Sequence, residues 1–425
     1  MHRFFKAFSA RWERVLLFVH KRRTVFVIAA EALTIFILLT VWYVRKMDSP
    51  VSASGFSKGF FSLFQKDAEE KQDFIKWVDF TVPADTMTQA FRYDVATCQA
   101  PVHLIWIELL AYEGAKCGGD FSHFSADDMD KLADRLKEGV SMEELTKNLK
   151  YYTYYKEAYT AVLGGMVGLY EIEIPAADAP DFALSDTRIN DGGPETEGSG
   201  SGADDGSGVD GSGAESESQV QIESGTLEPK VWVTKYGLKA FHPLAKNFPY
   251  THYDDFGVSR SYGYKRQHLG HDMMGQTGTP VIAVESGTVE AIGWNQYGGW
   301  RLGIRSFDKK RYYYYAHLRK DYPYQSILKE GGTVTAGDVI GYMGRTGYSS
   351  KENTNNINET HLHFGIQLIF DESQKEGNGE IWIDCFEIVK FLSINRSEAV
   401  KVPDTKEWTR VYQMKENGVE KTPNP

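Results

Sequence analysis

Apolar residues run almost unbroken from 24 to 44, the only long stretch of its kind in the chain. As a helix these 21 residues span roughly 31 Å, about the hydrocarbon thickness of a bilayer. The stretch therefore predicts a single transmembrane helix, with a stalk over 45–71. From 72 to 172 the apolar positions repeat at helical spacing. Pro101 suits a first helical position in a run ending at Gly118-Gly119. Ser125-Ala126-Asp127-Asp128 marks a second helix start, with Gly139 as its stop. Ser141-Met142-Glu143-Glu144 is a capping box that opens a helix towards Gly164-Gly165. Residues 185–229 are mostly Gly, Ser, Asp and Glu, too poor in large apolar side chains to bury a core. They predict a disordered linker, a tether that gives the following domain reach. From 230 to 397 the pattern changes to short strands between glycine turns. Strands are expected at 280–284, 288–292, 302–306, 312–316, 339–343 and 363–370, and one helix near 385–392. The predicted architecture is a mainly antiparallel β domain preceded by an all-α module and one transmembrane helix, with a tail over 398–425.

Charge sets the orientation. Seven basic residues precede the apolar run (Arg3, Lys6, Arg11, Arg14, Lys21, Arg22 and Arg23), and only Arg45, Lys46 and Lys58 follow closely. The positive-inside rule places residues 1–23 in the cytoplasm and everything beyond Lys46 outside the membrane. A cleaved signal peptide is the rival reading. The run is long for one, and Val41-Trp42-Tyr43-Val44 is not a small-residue cleavage site. The net charge of −11 is concentrated between Asp186 and Glu228, where five Asp and six Glu face one Arg. No basic excess remains elsewhere, so no nucleic-acid partner is expected. Three cysteines exclude a disulfide-dense scaffold; Cys98 and Cys117 both fall in the helical module, and their spacing does not decide whether they pair.

Seven of the eleven histidines lie in the β domain. His268 and Asp272 form H-x-x-x-D around Gly270. His361 and His363 form H-x-H, and residues two apart in a strand face the same side. A catalytic zinc typically takes three protein ligands and keeps one position open. His268, Asp272 and His363 supply such a set and leave His361 beside the metal. His317, in Tyr315-Ala316-His317-Leu318, ends another strand. In the helical module, Glu108 and Glu113 share one predicted helix, as a glycosidase acid does. A lone Glu on an amphipathic helix is far more often a solvated residue.

Five blocks occur in order: His268-Leu-Gly-His-Asp272, Gly278-Thr-Pro-Val-Ile-Ala-Val-Glu-Ser-Gly-Thr-Val289, Tyr315-Ala-His-Leu318, Val334-Thr-Ala-Gly-Asp-Val-Ile-Gly-Tyr-Met-Gly-Arg-Thr-Gly347 and His361-Leu-His-Phe364. Over roughly 255–370 the chain resembles the lysostaphin-like zinc endopeptidases of peptidoglycan. The resemblance implies the duplicated-hybrid-motif β fold and zinc held by His268, Asp272 and His363. It implies His361 as the base that takes a proton from the attacking water. It implies His317 as the residue that hydrogen-bonds the oxyanion or the water. The implied substrate is a peptidoglycan peptide. The segment between Gly347 and His361 is longer than in the family and predicts a polar loop near the cleft. The site of cleavage within the wall peptide therefore does not carry over.

The alternative is a non-catalytic lysostaphin-like scaffold or activator of other cell-wall hydrolases at division or sporulation sites. Such relatives commonly lack one or more of the five residues, all of which are present here. A lipoyl-type carrier would leave the histidines unexplained. The helical module is a candidate surface for a cell-wall protein partner.

Overall fold

The computed structural model describes residues 76–179, 229–261 and 265–416, all within one compact unit. The expected cytoplasmic segment, transmembrane helix and stalk lie outside the described residues, as does nearly all of the expected linker. Among the described residues no helix is long and apolar enough to cross a membrane.

A short strand, β1 (Lys76–Val78), leads into five helices: α1 (Ala84–Thr97), α2 (Trp106–Cys117), α3 (Ala126–Lys137), α4 (Met142–Thr146) and α5 (Tyr152–Leu163). Helix α3 starts after Ser125, and Gly139 follows it closely, as the sequence predicts. Two expectations need correction. Pro101 does not open a helix; α2 begins at Trp106, because its first amide donates to Asp94 Oδ2 of α1 at 2.9 Å. The start is thus fixed by a carboxylate from another helix rather than by a local cap. The helix from Ser141 also stops early. Ser141 Oγ does cap Glu144 N at 3.2 Å, but α4 buries nothing and ends at Thr146. The chain turns before α5, which buries Tyr155, Tyr159, Val162 and Leu163 and packs on α2. Cys98 and Cys117 are free thiols.

The strands then follow as β2 (Val167–Pro175), β3 (Lys230–Leu238), β4 (Thr251–His252), β5 (Ser259–Ser261), β6 (Lys265–Gln267), β7 (His271–Met274), β8 (Pro280–Ile282), β9 (Gly287–Asn295), β10 (Gly299–Ser306), β11 (Arg311–Ala316), β12 (Thr333–Val334), β13 (Val339–Tyr342), β14 (His361–Leu368), β15 (Ile381–Ile383), β16 (Ala399–Lys401), β17 (Trp408–Arg410) and β18 (Met414–Lys415), with α6 (Phe386–Leu392) after β15. All six expected strands are present. The main sheet runs β1-β15-β14-β11-β10-β9-β12, with β7 on β14 and β4 on β7. Its pairings are antiparallel except β1 on β15.

The helical region is not a separate module. Strand β1 extends the main sheet, and β2 pairs with β3 in unbroken register from Val167↔Leu238 to Pro175↔Lys230. One apolar core joins Met87, Leu109 and Val162 to Val281, Tyr313 and Phe364. Trp106 of α2 stacks on Phe391 of α6 with ring centroids 5.5 Å apart. Buried Arg311 donates to Glu285, Asp308 and the Ala161 carbonyl of α5. The described strands on either side of the expected linker, β2 and β3, thus lie side by side. Ala176 N donates to Pro229 O at 2.7 Å, so the chain leaves and re-enters at the same end of one β ladder. The segment expected as a tail also returns: β18 pairs with β2, and Arg410 of β17 is buried against Ala336 and Asp338.

Candidate metal centre

Strand pairing builds the site. The antiparallel register of β7 and β14 sets Asp272 directly opposite His363. His361 and His363 share that face of β14, and β11 on the other side ends at Ala316, paired with His363, so His317 follows at the rim. His268 precedes β7, held by backbone bonds His268 N to Val258 O (2.9 Å) and Gly257 N to His268 O (2.7 Å). Gly270 lets the loop pass: a Cβ there would lie 2.5 Å from Cε1 of His363 and 2.8 Å from the Phe364 carbonyl.

All five residues singled out in the sequence converge. Nε2 of His268 lies 3.1 Å from Oδ1 of Asp272 and 2.9 Å from Nδ1 of His363, which is 2.9 Å from the same oxygen. Nε2 of His361 stands 3.9 Å from that oxygen. The His317 ring is centred 4.8 Å from His361 and 5.8 Å from His363. His317 takes a left-handed backbone (φ 62°), held by His317 N to Gly298 O at 2.8 Å. Its Nδ1 donates to the Thr346 carbonyl at 2.9 Å. Nδ1 of His361 donates to Glu359 O at 3.0 Å. A carbonyl only accepts, so both rings present Nε2 as an acceptor.

His271 alternates to the other face, where it meets His252 (Nε2 to Nδ1 of His252, 2.9 Å) and Phe386. Burial and the neighbouring His252 push its pKa down to about 3, so it is a neutral packing residue. In the helical region Glu108 pairs with Lys156 at 2.6 Å and Glu113 with Lys116 at 3.1 Å, which engages both acids structurally.

Two site residues carried no sequence signal. Asp255, in the loop after β4, accepts from Nδ1 of His268 through its backbone oxygen (3.1 Å) and Oδ2 (3.0 Å). Arg260 of β5 forms an ion pair with Oδ2 of Asp272 at 2.8 Å and donates to Oδ2 of Asp255. Burial works against charge on His268, but the bonds to Asp255 and Asp272 outweigh it and raise its pKa to about 9. Burial likewise opposes ionisation of Asp272, yet its bonds to His268 and His363 hold it well below the usual carboxylate range. Burial lowers His363 and His317, and His361 adds to the effect on both.

Among the described residues, His268, Asp272 and His363 are the one group of His, Cys, Asp or Glu side chains able to hold a metal ion, their ligand atoms within 4.8 Å of one another. Two imidazole nitrogens and one carboxylate oxygen suit zinc. The second imidazole nitrogen of His268 is already bound by Asp255, the usual support for a metal-binding histidine. Residues 266–376 match peptidase family M23. That stretch of the chain is similar to the M23 peptidases. The M23 match contains all five converging residues and stops short of Asp255 and Arg260. M23 peptidases use zinc, and the donor set here fits it.

An L-Ala–D-Glu endopeptidase of Bacillus subtilis is 36% identical over 124 residues, 29% of this chain and 36% of that protein. Lysostaphin of Staphylococcus staphylolyticus is 38% identical over 98 residues, 23% of this chain and 18% of that protein. The chain thus spans about a third or less of the length of these relatives. Among solved structures, the catalytic domain of lysostaphin from Staphylococcus simulans is 30% identical, covering 33% of this chain and 92% of that one, with a TM-score of 0.26.

Proposed function

We propose that this protein is a membrane-anchored zinc metalloendopeptidase that hydrolyses peptide bonds of peptidoglycan outside the cytoplasm. The observation that carries the reading is the convergence of His268, Asp272 and His363 beside two acceptor imidazoles. Anchoring rests on the apolar run 24–44 and the basic residues before it. The wall substrate rests on the M23 relatives, an L-Ala–D-Glu endopeptidase and lysostaphin.

His268, Asp272 and His363 hold the metal. Bound zinc supplies a Lewis acid for the scissile carbonyl and lowers the pKa of water. His361 acts as the base. Its Nε2 is an acceptor and stands 3.9 Å from Oδ1 of Asp272, beside the metal ligands. His317 is the poorer base, since burial and the neighbouring His361 disfavour its charged form. Its acceptor Nε2 suits it to orient the attacking water. The proton on His361 then passes to the leaving amine, which balances the hydrolysis.

The test is mass analysis of wall fragments released by the full chain in detergent. New amino termini from the wild type and none from Asp272→Ala support the reading, and the masses name the bond. No fragments from several wall types, with zinc bound, favour the non-catalytic scaffold.

A further inference from the structure

A carboxylate beside a metal has two oxygens to offer, and this one has only one to spare. Oδ1 of Asp272 faces His268 and His363, while Oδ2 is ion-paired with Nη2 of Arg260 at 2.8 Å. Asp272 is 2% exposed, so water does not compete for Oδ2. The same Nη2 reaches Oδ2 of Asp255 and lies 3.2 Å from Nδ1 of His268. Oδ2 of Asp255 also meets Nδ1 of His268 at 3.0 Å. Asp255, His268, Asp272 and Arg260 therefore close a ring in which two of the three metal-facing groups, His268 and Asp272, are held from behind.

We propose that Arg260 is a positioning residue of the metal centre: it occupies Oδ2 of Asp272, limits that carboxylate to one donor oxygen, and keeps a coordination position open for water and substrate. The proposal rests on the zinc reading above. Without Arg260, buried Oδ2 loses its cationic partner, and an unpaired buried carboxylate oxygen is costly. The metal is then its nearest cation. Two-oxygen binding fills the position that a catalytic site must keep free. Arg260 also offsets one of two buried carboxylate charges, which leaves the metal more electron-poor. A structural ion pair would act otherwise: its loss would loosen the loop before β7 and weaken metal binding.

Cobalt separates these cases, because four-coordinate Co2+ absorbs visible light more strongly than five-coordinate Co2+. The full chain, Arg260→Gln and Arg260→Lys are loaded with Co2+, with metal content measured by mass spectrometry and folding by circular dichroism. The wild type is expected to show the strong four-coordinate bands. Arg260→Gln keeps one Co2+ per chain but weakens the bands, and the zinc form loses roughly 10–100-fold in kcat, the usual scale for a residue behind a ligand. Arg260→Lys keeps most of the wild-type spectrum, because every contact runs to one nitrogen. An unchanged spectrum in Arg260→Gln, or loss of its metal, overturns the proposal. Should Arg260→Gln fail to fold, weakened bands in Arg260→Lys overturn it instead. The spectra need no wall substrate. A four-coordinate wild type that cleaves no peptidoglycan overturns the proposed function and leaves this inference standing. A wild type that takes up no Co2+ or Zn2+ overturns both.

Discussion

Asp272 and His363 are direct partners across β7 and β14, with Oδ1 of one 2.9 Å from Nδ1 of the other. The register of two strands thus fixes two donors of the metal centre, and the third, His268, enters from the loop that Gly270 allows to approach. Replacing Gly270 by Ala puts a Cβ 2.5 Å from the His363 ring. The ring or the loop must move. The expected result is a destabilisation of about 1–3 kcal/mol and weaker zinc binding. Competition with a chromophoric chelator and urea unfolding check it; wild-type affinity and stability in Gly270→Ala would contradict it.

Zinc affinity is expected to rise with pH. His268 in the metal-free protein titrates at about 9, and only its neutral form binds metal. Affinity therefore falls about tenfold for each pH unit below 9, and binding at pH 7 releases a proton. The same shift stabilises the metal-free fold below the unfolded value near 6.5, and that contribution is lost as pH rises through about 9. Asp255→Asn removes a bond that raises His268, so the break moves to lower pH. Calorimetry in buffers of different ionisation heat reads the proton directly; no proton release at pH 7 would contradict the assignment.

The histidine pairs and the β strands were legible in the sequence because both are local: H-x-H and H-x-x-x-D need only neighbours in the chain. Asp255 and Arg260 were not, since tertiary packing alone brings them to His268 and Asp272. The meeting of the strands that flank the expected linker was hidden for a related reason. Composition marks a segment poor in core residues, but only the pairing of β2 with β3 shows that its two ends meet. Helix α4 stopped short because a strong local cap cannot sustain a helix that buries nothing.

That shared core predicts a single unfolding transition. Arg311→Met leaves Glu285 without its guanidinium and removes the bond to Ala161 O. The expected cost is about 3–5 kcal/mol, felt by helices and sheet together. Urea unfolding followed by far-ultraviolet circular dichroism and by tryptophan fluorescence should give coincident curves. Two separate transitions would mean that the helical region folds independently.

The long loop before β14 is pinned rather than loose. Oδ1 of Asn353 accepts from Nε1 of Trp300 and from Asp321 N, both at 2.9 Å. Asn353→Ala is expected to cost about 1 kcal/mol and to raise KM several-fold with kcat little changed, since Asn353 is not among the five converging residues. A fall in kcat with KM unchanged would place the loop in the chemical step instead.

The central claim is that His268, Asp272 and His363 hold a zinc ion that the chain uses to cut wall peptides. Its most direct test is amino-group release from purified peptidoglycan by the full chain, measured as purified, after chelation, and after zinc is restored. The expected result is activity that disappears on chelation and returns with one zinc per chain, with none in Asp272→Ala at any stage. Release that survives chelation, or that persists in Asp272→Ala, would contradict it.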